Sequence, residues 1–276
     1  MNVLIVGLGL MGGAYAYKLL NEGYTVYGSD VNKLSVEFAI GNGFVSEGST
    51  EPEDLIKKSD LIVLAIYPQA IMDFLTKYKD LFTDKQVITD ICGVKSSFVL
   101  NAEKTALPAK YVSHHPMAGR EKVGIGFSAE VEFSGANFLI TTTANSNNDA
   151  IELLKKIGKD LGFGRISVID VEKHDRMIGF TSQLTHAIAV SLVNSDHDKD
   201  TKKFIGDSYR DLTRIAKINE NLWSELFLEN KDYLLEHIQS FENELDKLKN
   251  ALKNNDKEAL KELFRSSTKI RKEMDK

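Results

Sequence analysis

A short segment at residues 113–121 holds side chains with which this chain could move a proton. It reads Ser-His-His-Pro-Met-Ala-Gly-Arg-Glu, with imidazoles at His114 and His115 and a rigid ring at Pro116. Because proline biases the preceding residue toward extended geometry, His115 is predicted to lie at the end of a strand. Neighbouring side chains of a strand point to opposite faces, so the two imidazoles cannot both face one cleft. One histidine is expected to be reactive and the other structural.

Three further clusters of polar side chains lie elsewhere in the chain. Thr89–Lys95 directly follows an apolar run that is typical of a buried strand. Ligands of α/β folds bind outside the carboxyl ends of the strands, so this segment is expected at the functional site. Ser182–His186 and Tyr209–Ala216 fall where the pattern is helical, with Trp223 downstream. Together these clusters add an imidazole, guanidinium groups and an indole.

The start of the chain carries a glycine-rich turn between a strand and a helix. Gly7, Gly9 and Gly12 follow the apolar run Val3–Val6 and precede a helical pattern that extends through Leu20. In this context the first glycine allows a tight turn, the second lets backbone approach a pyrophosphate, and the third allows close helix packing. The free N–H groups and positive dipole of the helix N-terminus then favour phosphate. The spacing predicts a dinucleotide site.

Asp30 follows the second predicted strand, which begins at Thr25. A carboxylate at this place accepts hydrogen bonds from an adenosine ribose and repels a 2′-phosphate, which favours NAD over NADP. FAD is bound by the same fingerprint, but the second half of the chain is not typical of a flavin fold. The predicted cofactor is therefore NAD. The residues expected to contact it are Gly7, Leu8, Gly9, Leu10, Met11, Gly12 and Asp30.

The elements that must position these groups follow from the apolar pattern. Runs at 61–66, 87–89, 138–141 and 166–169 alternate with helical stretches, as in a mainly parallel sheet flanked by helices. Beyond Asp170 such runs stop, and Leu, Ile and Phe recur among charged residues at helical spacing. We predict an α/β Rossmann domain with a doubly wound parallel sheet over residues 1–170 and an all-helical domain over residues 171–276.

Near the end of the chain, apolar residues recur at alternating steps of four and three, with lysine and glutamate around them. This heptad-like spacing predicts an apolar seam that is buried between two copies of the chain, as in a homodimer. The seam residues are Leu234, Ile238, Phe241, Leu245, Leu248 and Leu252.

Composition narrows the class of partner. The chain has 276 residues and 42% hydrophobic content, enough for two ordinary domains with substantial cores. A net charge of −5 without a dominant Lys/Arg cluster argues against nucleic acid and for a small-molecule partner. Cys92 is the only cysteine, so neither an intramolecular disulfide nor a cysteine-based zinc site can form, and no metal site is predicted. Without a secretion signal or a membrane-length apolar run, a cytoplasmic location without membrane contact is expected.

Taken in order, these segments resemble the prephenate/arogenate dehydrogenase family of tyrosine biosynthesis. The resemblance covers nearly the whole chain and depends on the order and spacing of the segments. It implies a Rossmann domain followed by a helical dimerisation domain, with the active site between them. The segments that carry it are the glycine turn, Asp90-x-x-x-x-Lys95, His115-Pro-Met-Ala-Gly-x-Glu121, Ser182-Gln-Leu-x-His186, Asp211-Leu-Thr-Arg-Ile-Ala and the Trp223 helix.

The resemblance implies an oxidative decarboxylation. The family oxidises the ring alcohol of a cyclohexadienol, passes hydride to NAD+ and releases carbon dioxide as the ring becomes aromatic. By its place in the family's His-Pro pair, His115 is expected to accept the alcohol proton, which suits an imidazole of ordinary pKa about 6.5. His114 is expected to be structural. Prephenate would give 4-hydroxyphenylpyruvate and arogenate would give tyrosine, and the sequence leaves both substrates open.

The same resemblance assigns substrate-binding residues. Arg214 is expected to hold a substrate carboxylate through two parallel N–H bonds, which lysine cannot reproduce. Arg210, one turn earlier on the same face, is expected to assist it or to pair with a neighbouring acid. His186 is expected to orient the side-chain or carboxylate end of the substrate, or to be satisfied within the core. Glu121 either gates the cleft by pairing with a basic residue or is an ordinary surface carboxylate.

The cluster after the predicted strand departs from the family at Gly93, assigned to the substrate site. Many members carry a serine here that hydrogen-bonds the ring hydroxyl and the base, so a water or a neighbouring side chain is expected to substitute. Cys92 is a weak donor and the reaction needs no nucleophile, so covalent catalysis is not expected. Lys95 either neutralises substrate or cofactor charge or is solvated. Trp223 is expected to belong to the core.

Two other classes share parts of this pattern. Hydroxyacid dehydrogenases and pyrroline-carboxylate reductases open on a similar glycine turn, but the hydroxyacid enzymes place a catalytic lysine just after the Rossmann domain, where this chain offers His186. A non-catalytic NAD-binding regulator would keep the glycine turn and Asp30 but would not need an imidazole at a strand end opposite arginines. Neither class accounts for all of the clusters.

Overall fold

The protein begins with a parallel sheet, as seen in a computed structural model that describes residues 1–105, 107–118 and 122–275. All neighbouring strands are parallel, and the order reverses between the first strand and the fourth, which places a ligand crevice at their carboxyl ends. The predicted doubly wound sheet is confirmed. In spatial order the strands are β3 (Glu47–Ser49), β2 (Thr25–Ser29), β1 (Asn2–Val6), β4 (Leu61–Leu64), β5 (Val87–Asp90) and β6 (Lys110–Tyr111).

Helices cover both faces of this sheet. Every residue of β4 is buried, as expected for a central parallel strand, and separate apolar clusters fill the two faces. The residues at the start of two helices stabilise their N-termini. The Asn32 side chain caps α2 by accepting from the Leu34 N–H at 3.0 Å, and Pro68 is the first residue of α4. The helices are α1 (Leu10–Asn21), α2 (Lys33–Gly41), α3 (Glu53–Lys58), α4 (Pro68–Lys77) and α5 (Ser96–Lys104).

The chain then forms a second, smaller sheet. β7 (Ser113–Pro116) runs antiparallel to β8 (Asn137–Thr142), which is parallel to β9 (Arg165–Asp170), and α6 (Asn148–Asp160) connects the last two. The sequence pattern suggested one mainly parallel sheet for the runs at 138–141 and 166–169, but they lie in this second sheet. A short apolar run indicates a buried strand, whereas its pairing partner depends on contacts distant in sequence.

From Val171 onward the described chain is helical, which confirms the predicted all-helical second half. A turn of π-helix at Gly179–Gln183 joins the first two of these helices, and 3-10 turns occur at Thr201–Lys203 and Arg214–Ala216. The first helix begins directly after β9, where the Asp170 side chain accepts from the Lys173 N–H at 2.7 Å. The helices are α7 (Val171–Ile178), α8 (Leu184–Asn194), α9 (Asp207–Thr213), α10 (Glu220–Glu229), α11 (Lys231–Lys253) and α12 (Lys257–Met274).

The predicted apolar seam lies on α11 and is only partly covered by the chain itself. Leu234 is buried, but Phe241, Leu245 and Leu252 are 37%, 51% and 56% exposed. Phe264 of α12, which packs against α11, is also 56% exposed. Much of this apolar surface therefore faces outward on a single chain. Within the part of the chain that the structure describes, no helix has the length and apolar character needed to cross a membrane.

Candidate active site

The glycine turn after β1 leaves little room for side chains. Gly7 has a φ of +92°, and a Cβ on Gly12 would lie 1.8 Å from the Gly7 carbonyl oxygen. Gly9, by contrast, faces open space directly before α1 begins. A helix N-terminus preceded by a glycine that faces open space lets a pyrophosphate approach the backbone N–H groups. The turn therefore fits the dinucleotide predicted for it.

Asp30 holds this turn from the end of β2. Its Oδ2 accepts from the Leu8 N–H at 2.6 Å, and its Oδ1 accepts from the Asn32 N–H at 2.7 Å. The Leu8 side chain is buried, whereas Leu10 and Met11 are half-buried in the first turn of α1. Each carboxylate oxygen keeps a second lone pair. Asp30 can therefore position the turn and still accept ribose hydroxyls.

The predicted base and the loop after β5 come together. A Cβ built on Gly93 would lie 3.7 Å from His115 Nε2 and 3.8 Å from its Cε1. Leu226 of α10 approaches the same point, since its Cδ1 would lie 3.8 Å from that Cβ. The half-buried His115 ring thus presents its Nε2 edge where the sheet edge meets the helical half. Position 93 supplies no hydroxyl to this ring.

His114 points the other way, into the core. Its ring stacks on Phe138 with 4.4 Å between centroids, and its Nε2 and Nδ1 form hydrogen bonds with the hydroxyls of Tyr15 (2.9 Å) and Thr89 (2.7 Å). Burial, aided by the charge of Lys95, lowers the pKa of His114 well below its ordinary value. A neutral, fully bonded His114 therefore ties β7 to α1 and β5.

Lys95 is buried rather than solvated. Its Nζ lies 2.7 Å from Asp90 Oδ1 and donates to the His114 carbonyl oxygen at 2.7 Å. The other Asp90 oxygen accepts from the Tyr111 hydroxyl at 2.7 Å. Burying an ion pair is favourable only when its remaining hydrogen bonds are met, and these contacts meet them. The pair fixes the backbone of β7 immediately before His115.

Two residues that the sequence did not single out hold the predicted base. His115 Nδ1 lies 3.0 Å from His174 Nε2, and His174 Nδ1 lies 2.7 Å from Asp175 Oδ1. Both partners are buried in α7. Asp175 also accepts from the backbone N–H groups of Lys95 and Ser96, at 3.0 Å and 2.6 Å. In the sequence, His174 and Asp175 are marked only as an adjacent His-Asp pair just after the last strand. The charged residues around them are typical of an exposed helix face, which is why the pair was not predicted at the site.

The imidazoles in this network are neutral near pH 7. Burial, followed by the neighbouring His174, Lys95 and His114, lowers the pKa of His115 well below its ordinary value. Burial also lowers the pKa of His174, although its hydrogen bond to Asp175 opposes that shift. Neutral imidazole is the form that can accept a proton. His115 can therefore act as a base.

His186 lies against Trp223 in the helical half. The two ring centroids are 3.7 Å apart at an interplanar angle of 30°, and His186 Nδ1 donates to the Ser182 carbonyl oxygen at 2.8 Å. Trp223 is half-buried. Its indole packs against both the hydrophobic core and the His186 ring. These contacts fix the plane of the His186 ring and require a hydrogen on its Nδ1, because a carbonyl oxygen can only accept.

The two predicted arginines differ in their surroundings. Arg210 is exposed on α9 and pairs with Asp207 at 2.7 Å, which is the neighbouring-acid alternative left open by the sequence. Arg214 is exposed at the start of a 3-10 turn that packs against α8, the helix that carries His186. The structure therefore brings the Arg214 turn close to the helix of another predicted substrate-binding residue.

Two other expectations concern a gate and a metal. Glu121 lies outside the described residues, so its gating role stays a prediction. Over residues 1–105, 107–118 and 122–275, no group of three or more His, Cys, Asp or Glu side chains is placed to hold a metal ion.

Family comparisons cover both parts of the chain. The sequence model of the prephenate dehydrogenase nucleotide-binding domain matches residues 15–167, and that of the prephenate dehydrogenase dimerization domain matches residues 170–266. The chain belongs to the prephenate dehydrogenase family. The resemblance inferred from the separate segments is thereby confirmed, and the hydroxyacid dehydrogenase alternative is removed.

Individual relatives agree with this membership. Prephenate dehydrogenase of Bacillus subtilis is 28% identical over 96% of this chain and 74% of its own length. Cyclohexadienyl dehydrogenase of Zymomonas mobilis is 27% identical over 98% of this chain and 94% of its own. The crystal structure of Aquifex aeolicus prephenate dehydrogenase with hydroxyphenyl propionate and NAD+ has 30% identity and a TM-score of 0.88, covering 99% of this chain and 98% of that one. The likeness therefore extends through both the sheet and the helices.

Proposed function

We propose that this protein is an NAD-dependent prephenate dehydrogenase that converts prephenate to 4-hydroxyphenylpyruvate in tyrosine biosynthesis. The observation that carries the proposal is the position of the His115 Nε2 edge, next to Gly93 beyond the carboxyl end of β5. The glycine turn lies beyond the carboxyl end of β1 in the same sheet. Oxidation of an alcohol needs a base near the dinucleotide, and His115 supplies one there.

The glycine turn and Asp30 support NAD as the cofactor. Gly7, Gly9, Gly12 and the N-terminus of α1 would hold the pyrophosphate, and Asp30 would accept the ribose hydroxyls. When bound, the oxidised dinucleotide supplies the hydride acceptor. The solved Aquifex relative contains NAD+ and hydroxyphenyl propionate, a phenol with a side-chain carboxylate like the proposed product.

The substrate's alcohol and carboxylates determine the remaining roles. His115 Nε2 accepts the proton of the ring alcohol, and Gly93 leaves space for the ring beside it. Arg214 binds a carboxylate through its planar fork of donors, and His186 orients that end of the substrate. Arg210 is left out of this set because its ion pair with Asp207 at 2.7 Å matches the neighbouring-acid alternative.

The proposal is tested by following NADH or NADPH formation with prephenate and arogenate in parallel, each with NAD+ and NADP+. The fastest reaction is expected with prephenate and NAD+. A faster reaction with arogenate would reassign the substrate within the family. Reduction of neither cofactor with either substrate would overturn the proposed activity.

Gly12→Ala is expected to weaken NADH binding by at least about tenfold, or about 1.4 kcal/mol. The added methyl group would overlap the Gly7 carbonyl oxygen and move α1 away from the turn. Titration of NADH fluorescence measures the affinity. Gly41→Ala is the matched control, because a Cβ there meets open space on α2. Equal affinities for the two variants would contradict the proposed pyrophosphate site.

We propose that the protein forms a homodimer through the exposed seam of α11. Phe241, Leu245 and Leu252 of the seam are exposed, and clustered exposed apolar side chains mark interaction surfaces. The family domain that matches this half of the chain is described as a dimerization domain. The N-terminal unit of each chain is proposed to end at Asp170 and the helical unit to begin at Val171, where α7 starts.

A cytoplasmic location is proposed from the single, buried cysteine.

Leu245→Glu is expected to shift the protein from dimer to monomer at micromolar concentration, because it places a charge in the apolar seam. Light scattering after size-exclusion chromatography measures the mass. Asn243→Glu adds the same charge on the opposite face of α11 and should leave the dimer intact. A monomeric unmodified protein, or dissociation by both variants alike, would contradict the seam as the interface.

A further inference from the structure

We propose that His174 and Asp175 are positioning residues that fix the tautomer of His115, so that its Nε2 carries a lone pair toward the substrate alcohol. The proposal rests on the function proposed above, since it explains how the base of that reaction is prepared. It is carried by a continuous chain of contacts from the N-terminus of α5 through Asp175 and His174 to His115.

The chain of contacts begins with a carboxylate that can only accept. Asp175 Oδ2 accepts from the Ser96 N–H at 2.6 Å, and both of its oxygens accept from the Lys95 N–H, at 3.0 Å and 3.2 Å. These donors belong to the first turn of α5, whose dipole also favours negative charge. Burial alone would raise the pKa of Asp175, but hydrogen bonds from His174 and Ser96 hold it below its ordinary value. Asp175 is therefore a carboxylate near pH 7.

The tautomers of both imidazoles follow from that carboxylate. His174 Nδ1 faces Asp175 Oδ1 at 2.7 Å and must carry a hydrogen. A neutral ring with a hydrogen on Nδ1 has a lone pair on Nε2, and this atom faces His115 Nδ1 at 3.0 Å. His115 Nδ1 must then be the donor. Its Nε2 is left with a lone pair, on the edge that faces Gly93.

The arrangement also suits the charge that develops during the reaction. The alcohol proton moves to His115 Nε2 while the electron pair of the adjacent C–H bond leaves as hydride to the oxidised dinucleotide. His115 becomes an imidazolium that keeps its Nδ1–H bond to His174, and the Asp175 carboxylate stabilises this charge through the intervening ring. Asp175 stays unprotonated throughout, just as the aspartate of a Ser-His-Asp triad does. This set of contacts supplies the orientation that a serine at position 93 would otherwise contribute.

Asp175→Asn is the deciding substitution because it reverses the chain of donors. The Ser96 and Lys95 N–H groups can both donate to a carbonyl oxygen at the Oδ2 place, where they now lie at 2.6 Å and 3.2 Å, so the amide NH2 would face His174 Nδ1. His174 would then carry its hydrogen on Nε2, His115 Nδ1 would become an acceptor, and His115 Nε2 would be protonated. We expect kcat to fall by about 10²-fold, with KM for prephenate little changed. Asp84→Asn, at an exposed aspartate, should leave both constants unchanged.

Nitrogen NMR of protein with ¹⁵N-labelled histidine reports which ring nitrogen of His115 carries the hydrogen. A purely structural role of Asp175 would leave this tautomer unchanged in the Asp175→Asn variant. The His115 Nε2 resonance is expected at an unprotonated position in the unmodified protein and at a protonated position in Asp175→Asn. This spectrum requires no substrate, so failure of the prephenate assay would leave the test standing. A protonated Nε2 in the unmodified protein, or an unchanged tautomer in the variant, would overturn the proposal.

A second pair of variants keeps the proposal testable if Asp175→Asn does not fold. His174→Gln retains a carbonyl that can accept from His115 Nδ1, whereas His174→Leu does not. The glutamine variant is expected to keep kcat at least about tenfold higher than the leucine variant at similar melting temperature. Equal loss in both would mean that acceptance of the Nδ1 hydrogen is not the role of His174.

Discussion

Replacing His115 by asparagine is expected to lower kcat by about 10²-fold to 10⁴-fold, while KM for prephenate changes little. Asparagine keeps a polar group near His174 but has no nitrogen lone pair at the place of Nε2. The ring alcohol then has no acceptor for its proton, although the groups that bind the carboxylates are untouched. Steady-state rates of NADH formation measure both constants.

His197→Asn is the matched control for this change, because His197 is an exposed histidine outside the site. It should leave kcat and KM unchanged. NADH affinity and melting temperature should be similar in both variants, since asparagine keeps a polar group beside His174 and the glycine turn is untouched. An unchanged kcat in folded His115→Asn protein would reject His115 as the base.

The parts of this site that local rules describe could be predicted from the sequence. Alternation along an extended strand predicted that the two histidines face opposite ways, and the His114 ring does lie in the core whereas the His115 ring faces Gly93. The role of His115 as the base stays a prediction. The spacing of the glycine turn likewise predicted a strand, a tight turn and a helix N-terminus. Cys92 was not expected to act as a nucleophile, and burial raises the pKa of its thiol to about 12.

The contacts between distant elements could not be predicted in this way. His174 lies on the first helix after the second sheet, and only folding brings its Nε2 to 3.0 Å from His115 Nδ1. The sequence leaves a solvated Lys95 open, because the Asp90 carboxylate and the His114 carbonyl oxygen that bind its ammonium group lie on two different strands. The second sheet was missed for the same reason, since a strand's pattern reveals its burial but not its partner.

Replacing Arg214 by alanine is expected chiefly to raise KM for prephenate, by about 30-fold to 1000-fold, which corresponds to about 2–4 kcal/mol for a lost charged pair of hydrogen bonds. The substrate carries two carboxylates, and the turn that begins at Arg214 packs on the helix of His186, so a guanidinium there can hold one of them. Binding a carboxylate is needed in the ground state and in the transition state alike. For that reason kcat should fall much less than kcat/KM.

One further variant separates the paired N–H donors of Arg214 from its positive charge, and another serves as a control. Arg214→Lys keeps the charge but loses the two parallel bonds, so its KM should lie between those of the unmodified protein and Arg214→Ala. Arg165→Ala removes an exposed arginine from the start of β9 and should leave KM unchanged. An unaltered KM in Arg214→Ala would show that the substrate carboxylate is bound elsewhere. A KM equal to that of the unmodified protein in Arg214→Lys would show that charge alone, without bidentate geometry, is sufficient.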